Sequence, residues 1–188
     1  MEVLRVSFGN RRVGALLAGM VAVIGIGLAG TAVAATGPES SAVAKEAHAE
    51  ALVPGTPCTV STRACVDLES QRAWLIKDGA VSYGPVPIAS GGAGQETPVG
   101  HSFRVYRKSA DHVSGEFNGP DGQPAPMPWS VFFADGGVAF HGGDRARSSA
   151  GCVKLDPEPA QTFFNDLVDG DKVQVVNASV EQQARTAS

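Results

Sequence analysis

Short apolar runs punctuated by Gly, Pro, Asp and Asn dominate this chain from Cys65 to Val176. Ala64–Leu68 and Arg72–Ile76 have the length and composition of strands. Lys77-Asp78-Gly79-Ala80 separates Trp74–Ile76 from Val81–Tyr83 and signals a hairpin with Asp-Gly at its tip. Val86-Pro87-Ile88-Ala89 continues as an irregular or edge strand, since proline cannot donate to a ladder. Ser102–Arg107 alternates as a half-buried strand does, and residues 108–126 are polar and turn-rich. Trp129–Phe133 and Gly137–Phe140 flank a second hairpin signal, Asp135-Gly136. One helix is well marked: Asp156 as cap, Pro157 in the first turn, a stripe of Phe163, Phe164 and Leu167, and Gly170 as stop. Lys172–Val176 reads as a final strand. Many short strands with one clear helix predict a mainly β domain, a sandwich or partly open barrel.

The flanks read differently. Arg5, Arg11 and Arg12 precede an uncharged apolar run, Val13–Gly30, and then Ala32-Val33-Ala34. This is the layout of a secretory signal peptide over residues 1–34, with an uncleaved anchor as the alternative. Residues 35–54 mix Ala, Glu, Ser, Pro and Gly and read as a flexible linker with at most a weak helix over Ser41–Leu52. His48 within it reads as a solvated surface residue. Residues 178–188 read as a disordered tail.

Composition narrows the partners. The chain has 188 residues, 43% hydrophobic and 18% charged, consistent with one domain plus extensions. Residues 1–34 hold three of the 15 Lys/Arg and one of the 19 Asp/Glu, so the remainder has 12 basic and 18 acidic side chains and a formal charge of −6. That disfavours nucleic acid, whose phosphates require a basic face. A membrane contact is expected only through the N-terminal segment, and the protein is expected to be a monomer.

The chemistry concentrates in His141-Gly-Gly-Asp-Arg-Ala-Arg-Ser-Ser-Ala-Gly-Cys152-Val-Lys-Leu155. A cysteine attacks as its thiolate and needs a base or a positive field nearby. His141 is the candidate base. Gly151 and Cys152 are candidate oxyanion donors through their N–H groups, because glycine lets the backbone turn and aim them. Asp144 or the carbonyl of Gly142 could orient the imidazole. Arg147 and Lys154 are candidates for binding a substrate carboxylate, and Ser149 for a contact to thiolate or substrate. The chain has three cysteines. Cys58 and Cys65, with six residues between them, read as a short disulfide loop in an oxidising compartment, which leaves Cys152 free. A bridge from Cys152 to either would remove the nucleophile. No metal-ligand spacing such as Cys-x-x-Cys or His-x-x-x-His occurs, so neither metal nor cofactor is expected. His101 and His112 lie in polar surroundings without a motif.

The order Asp67-Leu68, Gln71-Arg72, Asp78-Gly79, Thr97-Pro98-Val99-Gly100, Met127-Pro128, His141-Gly142 and Ser149-x-Gly151-Cys152-Val153-x-Leu155 resembles the L,D-transpeptidase (YkuD-type) catalytic domain, over about residues 64–176. The resemblance implies a β-sandwich of mixed sheets with one C-terminal helix packed on it, in a catalytic domain over residues 55–177. It implies a secreted, cell-wall-associated enzyme that cross-links peptidoglycan stem peptides through a thioacyl-enzyme and is acylated by carbapenems. By matching positions, Cys152 is the nucleophile, His141 the base and Gly142 the carbonyl that holds the imidazole. Met127 and Trp129 would wall the substrate channel. Two positions depart from the pattern. Ala150 stands where the family usually has His, and Lys154 where it often has Arg, which removes a bidentate fork. Hydrolysis of the same bond, as an L,D-carboxypeptidase, and a non-catalytic wall-binding module are the competing readings.

Overall fold

A computed structural model describes residues 41–187; the leader read over residues 1–34 lies outside them. Helix α1 (Ser41–Ala49) precedes strands β1 (Ala64–Asp67), β2 (Arg72–Lys77), β3 (Ala80–Pro87), β4 (Gly100–Arg104), β5 (Arg107–Asn118), β6 (Pro124–Ala134), β7 (Val138–Gly142) and β8 (Val153–Leu155). Helix α2 (Pro157–Asp166), strand β9 (Lys172–Val176) and helix α3 (Ala178–Thr186) complete the chain. Two mixed sheets form the sandwich. One has the order β3-β2-β1-β9-β4, with β1 and β9 parallel; the other has the order β5-β6-β7-β8, with β7 and β8 parallel.

Period-two alternation distributes the side chains of β1 and β9 to two faces. Ala64, Val66, Val173 and Val175 enter the main core, with Leu75, Val131, Phe133, Phe140, Val153, Leu155 and Phe163. Cys65 and Val176 point the other way, into a smaller cluster with Val53, Cys58, Trp74 and Ile76. Both faces are therefore covered, and the Cys58–Cys65 disulfide lies inside the second cluster. Gln174, fully buried on that face, accepts from the Thr59 N–H (2.9 Å) and donates to Thr59 Oγ1 (3.1 Å) and the His101 carbonyl (3.3 Å). Helix α2 inserts Phe163 against Phe140 (centroids 5.1 Å) and against Tyr83 of the other sheet (6.4 Å).

The structure departs from the sequence reading at four places. Residues 108–126 are not a turn-rich connection: β5 and β6 form a long hairpin that turns around Gly119–Gly122. Its outer part is mostly solvated on both faces, so the hydrophobic alternation that marks a strand is missing. Asp156 occupies the N-cap position of α2 but makes no side-chain cap bond; its carboxylate instead takes a bidentate pair from Arg145 (2.8 and 2.8 Å). Residues 178–186 are helical rather than disordered. The turn after β1 caps that helix, with Ala178 N–H donating to Asp67 Oδ1 (3.1 Å) and Ser179 N–H to Glu69 Oε2 (2.8 Å). The described part of the stretch read as a linker, residues 41–54, is docked as well: Ala47 and Val53 are buried, and His48 is largely covered rather than solvated. Arg185 on α3 donates to the carbonyls of Ala47 (2.8 Å), His48 (3.0 Å) and Glu50 (2.7 Å), and to Glu181 (2.7 Å). Among the described residues, α1 and α3 thus join the one well-marked helix, α2.

Arg185→Ala removes a guanidinium from four acceptors at once. The expected cost is about 2–3 kcal/mol, read as a lowered urea midpoint, with faster amide exchange over residues 43–50. An unchanged midpoint would mean that the α1–α3 contact contributes nothing to stability.

Candidate functional site

Strand β8 is only three residues long, and its pairing with β7 builds the site. The register is Phe140↔Val153, His141↔Lys154 and Gly142↔Leu155. Phe140, Val153 and Leu155 are fully buried in the core. The alternate positions, His141 on β7 and Cys152 and Lys154 around β8, therefore share the opposite face. All three line a cleft of about 700 Å³ between this face and the β5–β6 hairpin. Strand β8 is held on its other side too, because Ala89 and Lys154 exchange both backbone bonds (3.0 and 2.8 Å).

The motif residues Gln71 and Thr97 shape the loop that carries this contact. Gln71 Nε2 donates to the Leu68 carbonyl (2.8 Å) and to Ser90 Oγ (2.9 Å), and its Oε1 accepts from Ser90 N–H (3.1 Å). Thr97 Oγ1, buried, accepts from Gly91 N–H (2.8 Å). The Ser90–Gly92 strip then grips the loop before Cys152: Ser149 N–H donates to the Ser90 carbonyl (2.9 Å) and Gly92 N–H to the Ser149 carbonyl (3.1 Å). Ser149 Oγ donates to the Cys152 carbonyl, so its hydroxyl closes the turn around the cysteine. Gly151 adopts φ +102°, a left-handed conformation that a residue with Cβ rarely takes, immediately before the thiol.

Cys58 and Cys65 are joined, which removes the alternative bridges and leaves Cys152 a free thiol. Its Sγ donates to the Gly137 carbonyl (3.7 Å). Burial pushes the thiol pKa up; Glu116 on the hairpin adds to the rise, while a backbone bond at Ala139 and the charge of Lys154 oppose it. Burial pushes His141 down, against a smaller upward pull from its bond to Gly142; Lys154 and His112 lower it further. His141 Nδ1–H donates to the Gly142 carbonyl (2.9 Å), which makes Nε2 the basic atom of the neutral ring. A Cβ at Gly142 would come within 3.2 Å of Pro128, so the close approach of that carbonyl suits glycine. Both shifts favour the uncharged forms, a thiol and a neutral imidazole lining one cleft.

The other expected site residues divide. Met127, buried, lines the cleft and lies opposite His112 in the β5–β6 register. Lys154 lies at the rim, with Nζ donating to the Ser148 carbonyl (3.2 Å). Arg147 also lines the cleft, 79% exposed, against Asp144 (3.4 Å). Asp144 accepts from Ala146 N–H (2.9 Å) and engages Arg147, so it does not orient the imidazole. Trp129 is not part of the lining among the described residues. It takes φ +60° and packs on Phe164 (centroids 5.4 Å) against the core. The Trp129 side chain thus lies toward α2, on the face of Val131 and Phe133, while Met127 is on the cleft. Sequence reasoning missed His112 and Glu116. Both sit on a hairpin that showed no strand signal, and only its folding over the cleft brings them to the site.

The chain matches the YkuD L,D-transpeptidase catalytic domain over residues 61–175. No curated protein matches it. Among solved structures it is similar to an L,D-transpeptidase from Stackebrandtia nassauensis, with 28% identity, 61% of this chain and 54% of that chain covered, and a TM-score of 0.54. It is similar to a mutant of the Enterococcus faecium L,D-transpeptidase at 29% identity, with 62% and 50% covered and a TM-score of 0.52. The avibactam carbamoyl enzyme of Ldtfm gives 29% identity, 62% and 49% covered, and a TM-score of 0.52. This chain spans about half the length of these solved structures. With the family pattern matched over more than half its length, the chain belongs to the L,D-transpeptidase catalytic-domain family.

Proposed function

We propose that this domain is an exported L,D-transpeptidase that cross-links peptidoglycan stem peptides through a thioacyl intermediate on Cys152. One observation carries the reading: a free thiol and an imidazole whose Nδ1–H is already committed to a backbone carbonyl share one face of β7–β8 and one cleft. The avibactam carbamoyl adduct of a related enzyme supports a nucleophile open to acylation in this fold.

The reaction uses the chain's own groups. Cys152 sulfur attacks the carbonyl carbon between the third residue of a tetrapeptide donor and its terminal D-alanine. His141 Nε2 takes the thiol proton as the C–S bond forms, so the neutral pair is charged only during attack. The Gly151 and Cys152 N–H groups are assigned to the oxyanion. Collapse breaks the C–N bond, and Nε2–H protonates the leaving D-alanine amine. An acceptor amine then attacks the thioester, gives its proton to His141, and Cys152 leaves and recovers a proton. Lys154 and Arg147 supply positive charge at the rim for the donor carboxylate, and Met127 supplies an apolar wall.

Cys152→Ala is expected to abolish the acyl adduct seen by intact mass after incubation with donor tetrapeptide or a carbapenem, and to lower turnover at least ~10³-fold, with the thermal transition preserved. His141→Gln is expected to slow acylation by about 10²–10⁴-fold. Undiminished adduct formation in either variant would refute the assignment. A wild-type protein that folds but takes no adduct would favour a wall-binding module. Product analysis with and without an acceptor amine separates cross-linking from hydrolysis: tripeptide as the sole product would move the assignment to a carboxypeptidase.

Two pH dependences follow from burial. With the thiol raised, alkylation of free Cys152 by iodoacetamide should titrate with a midpoint above the ordinary thiol range. A midpoint below it would mean a preformed thiolate. With the imidazole lowered, His141 stays a base to lower pH, so the acid limb of kcat/KM should fall below about pH 6.5. An acid limb above that value would assign the limb to another group.

A further inference from the structure

Away from the cleft, His48 on α1, His101 on β4 and Glu181 on α3 converge. His101 Nε2 lies 2.7 Å and His48 Nε2 3.3 Å from the same oxygen, Glu181 Oε2. The two rings stand perpendicular, with centroids 5.3 Å apart. The three donor atoms lie within 4.8 Å of one another. The side chains are 15%, 8% and 3% exposed. The second carboxylate oxygen, Oε1, is held by Arg185 Nε at 2.7 Å, which fixes the carboxylate plane and leaves Oε2 toward the imidazoles. Glu181 and Arg185 also line a surface cleft with Leu52 and Thr56.

Two imidazole nitrogens and one carboxylate oxygen are a donor set for a borderline divalent cation. Zinc bound tetrahedrally at about 2.0–2.1 Å from each ligand separates them by about 3.3 Å. The His48–Glu181 distance already has that value, the His101–Glu181 distance must open by about 0.6 Å, and the two imidazole nitrogens, within 4.8 Å of each other, must close on the same spacing. Arg185 stands where an outer partner of a ligating carboxylate is usually found.

We propose that His48 Nε2, His101 Nε2 and Glu181 Oε2 form a zinc-binding site, with water in the fourth position, that pins α1 and α3 to β4. The test uses the full chain carrying Cys152→Ser, so that the thiol beside His141 cannot hold zinc. After chelation the protein is titrated with zinc, with metal content and Tm measured, and with cobalt(II), whose visible spectrum reports a tetrahedral site. Expected are one equivalent of zinc, a Tm raised by on the order of 5 °C at zinc well above its Kd, and the loss of both in His48→Asn. That variant should fold, because Arg185 still holds α1 through the backbone carbonyls of Ala47, His48 and Glu50. Less than about a tenth of an equivalent bound to the parent, or the same binding in His48→Asn, would overturn the proposal and leave the cluster an ion-pair network. Should the variant fail to fold, the parent's stoichiometry and cobalt spectrum decide.

Discussion

The parallel pairing of three-residue β8 with β7 is the constraint on which the site depends. It commits Phe140, Val153 and Leu155 to the core and, by alternation, His141, Cys152 and Lys154 to the cleft. Each large apolar side chain fully buried there contributes about 1.5–3 kcal/mol. A slip of one residue would exchange the two sets and carry a lysine into the core, where an unpaired charge is prohibitive. Hydrophobic packing on one face thus positions the chemistry on the other.

The loop between the two strands is braced at both ends. Arg145 grips Asp156 with two bonds at the start of α2, and Ser149 is tied to Ser90 and to the Cys152 carbonyl. Gln71 and Thr97, distant in sequence, hold the strip to which this loop pairs. Such bracing fixes the position of the thiol in the folded state. It also buries the thiol and the imidazole, and that burial raises the thiol pKa and lowers the imidazole pKa, favouring the uncharged form of each.

A second constraint operates on the far face of the first sheet. The chain's two flanks, α1 and α3, meet over it, and polar contacts join them: Asp67 and Glu69 at the start of α3, and Arg185 against the end of α1. These groups are buried enough that each requires its partner. Weakly apolar segments are ordered here because their hydrogen bonds close on the rest of the domain.

The strands around the core, helix α2, and the placing of the candidate residues His141 and Cys152 at one cleft were legible in the sequence, because alternation, turn residues and local spacing are written in neighbouring positions. The Gly151–Cys152 turn belongs to the same class, since glycine before a thiol in a polar loop is a local signal. The β5–β6 hairpin was not legible, because its outer residues are solvated on both faces and carry no periodicity. Trp129 has the parity of the core residues Val131 and Phe133 and lies with them, whereas Met127, of the same parity but before the positive φ at Trp129, lines the cleft instead; no local pattern marks that reversal. The order of residues 178–186, the docking of α1 and the meeting of His48, His101 and Glu181 were decided by tertiary structure alone. Those contacts join positions up to 138 residues apart, and no local pattern encodes a hydrogen bond whose two partners meet only after the sheet has formed.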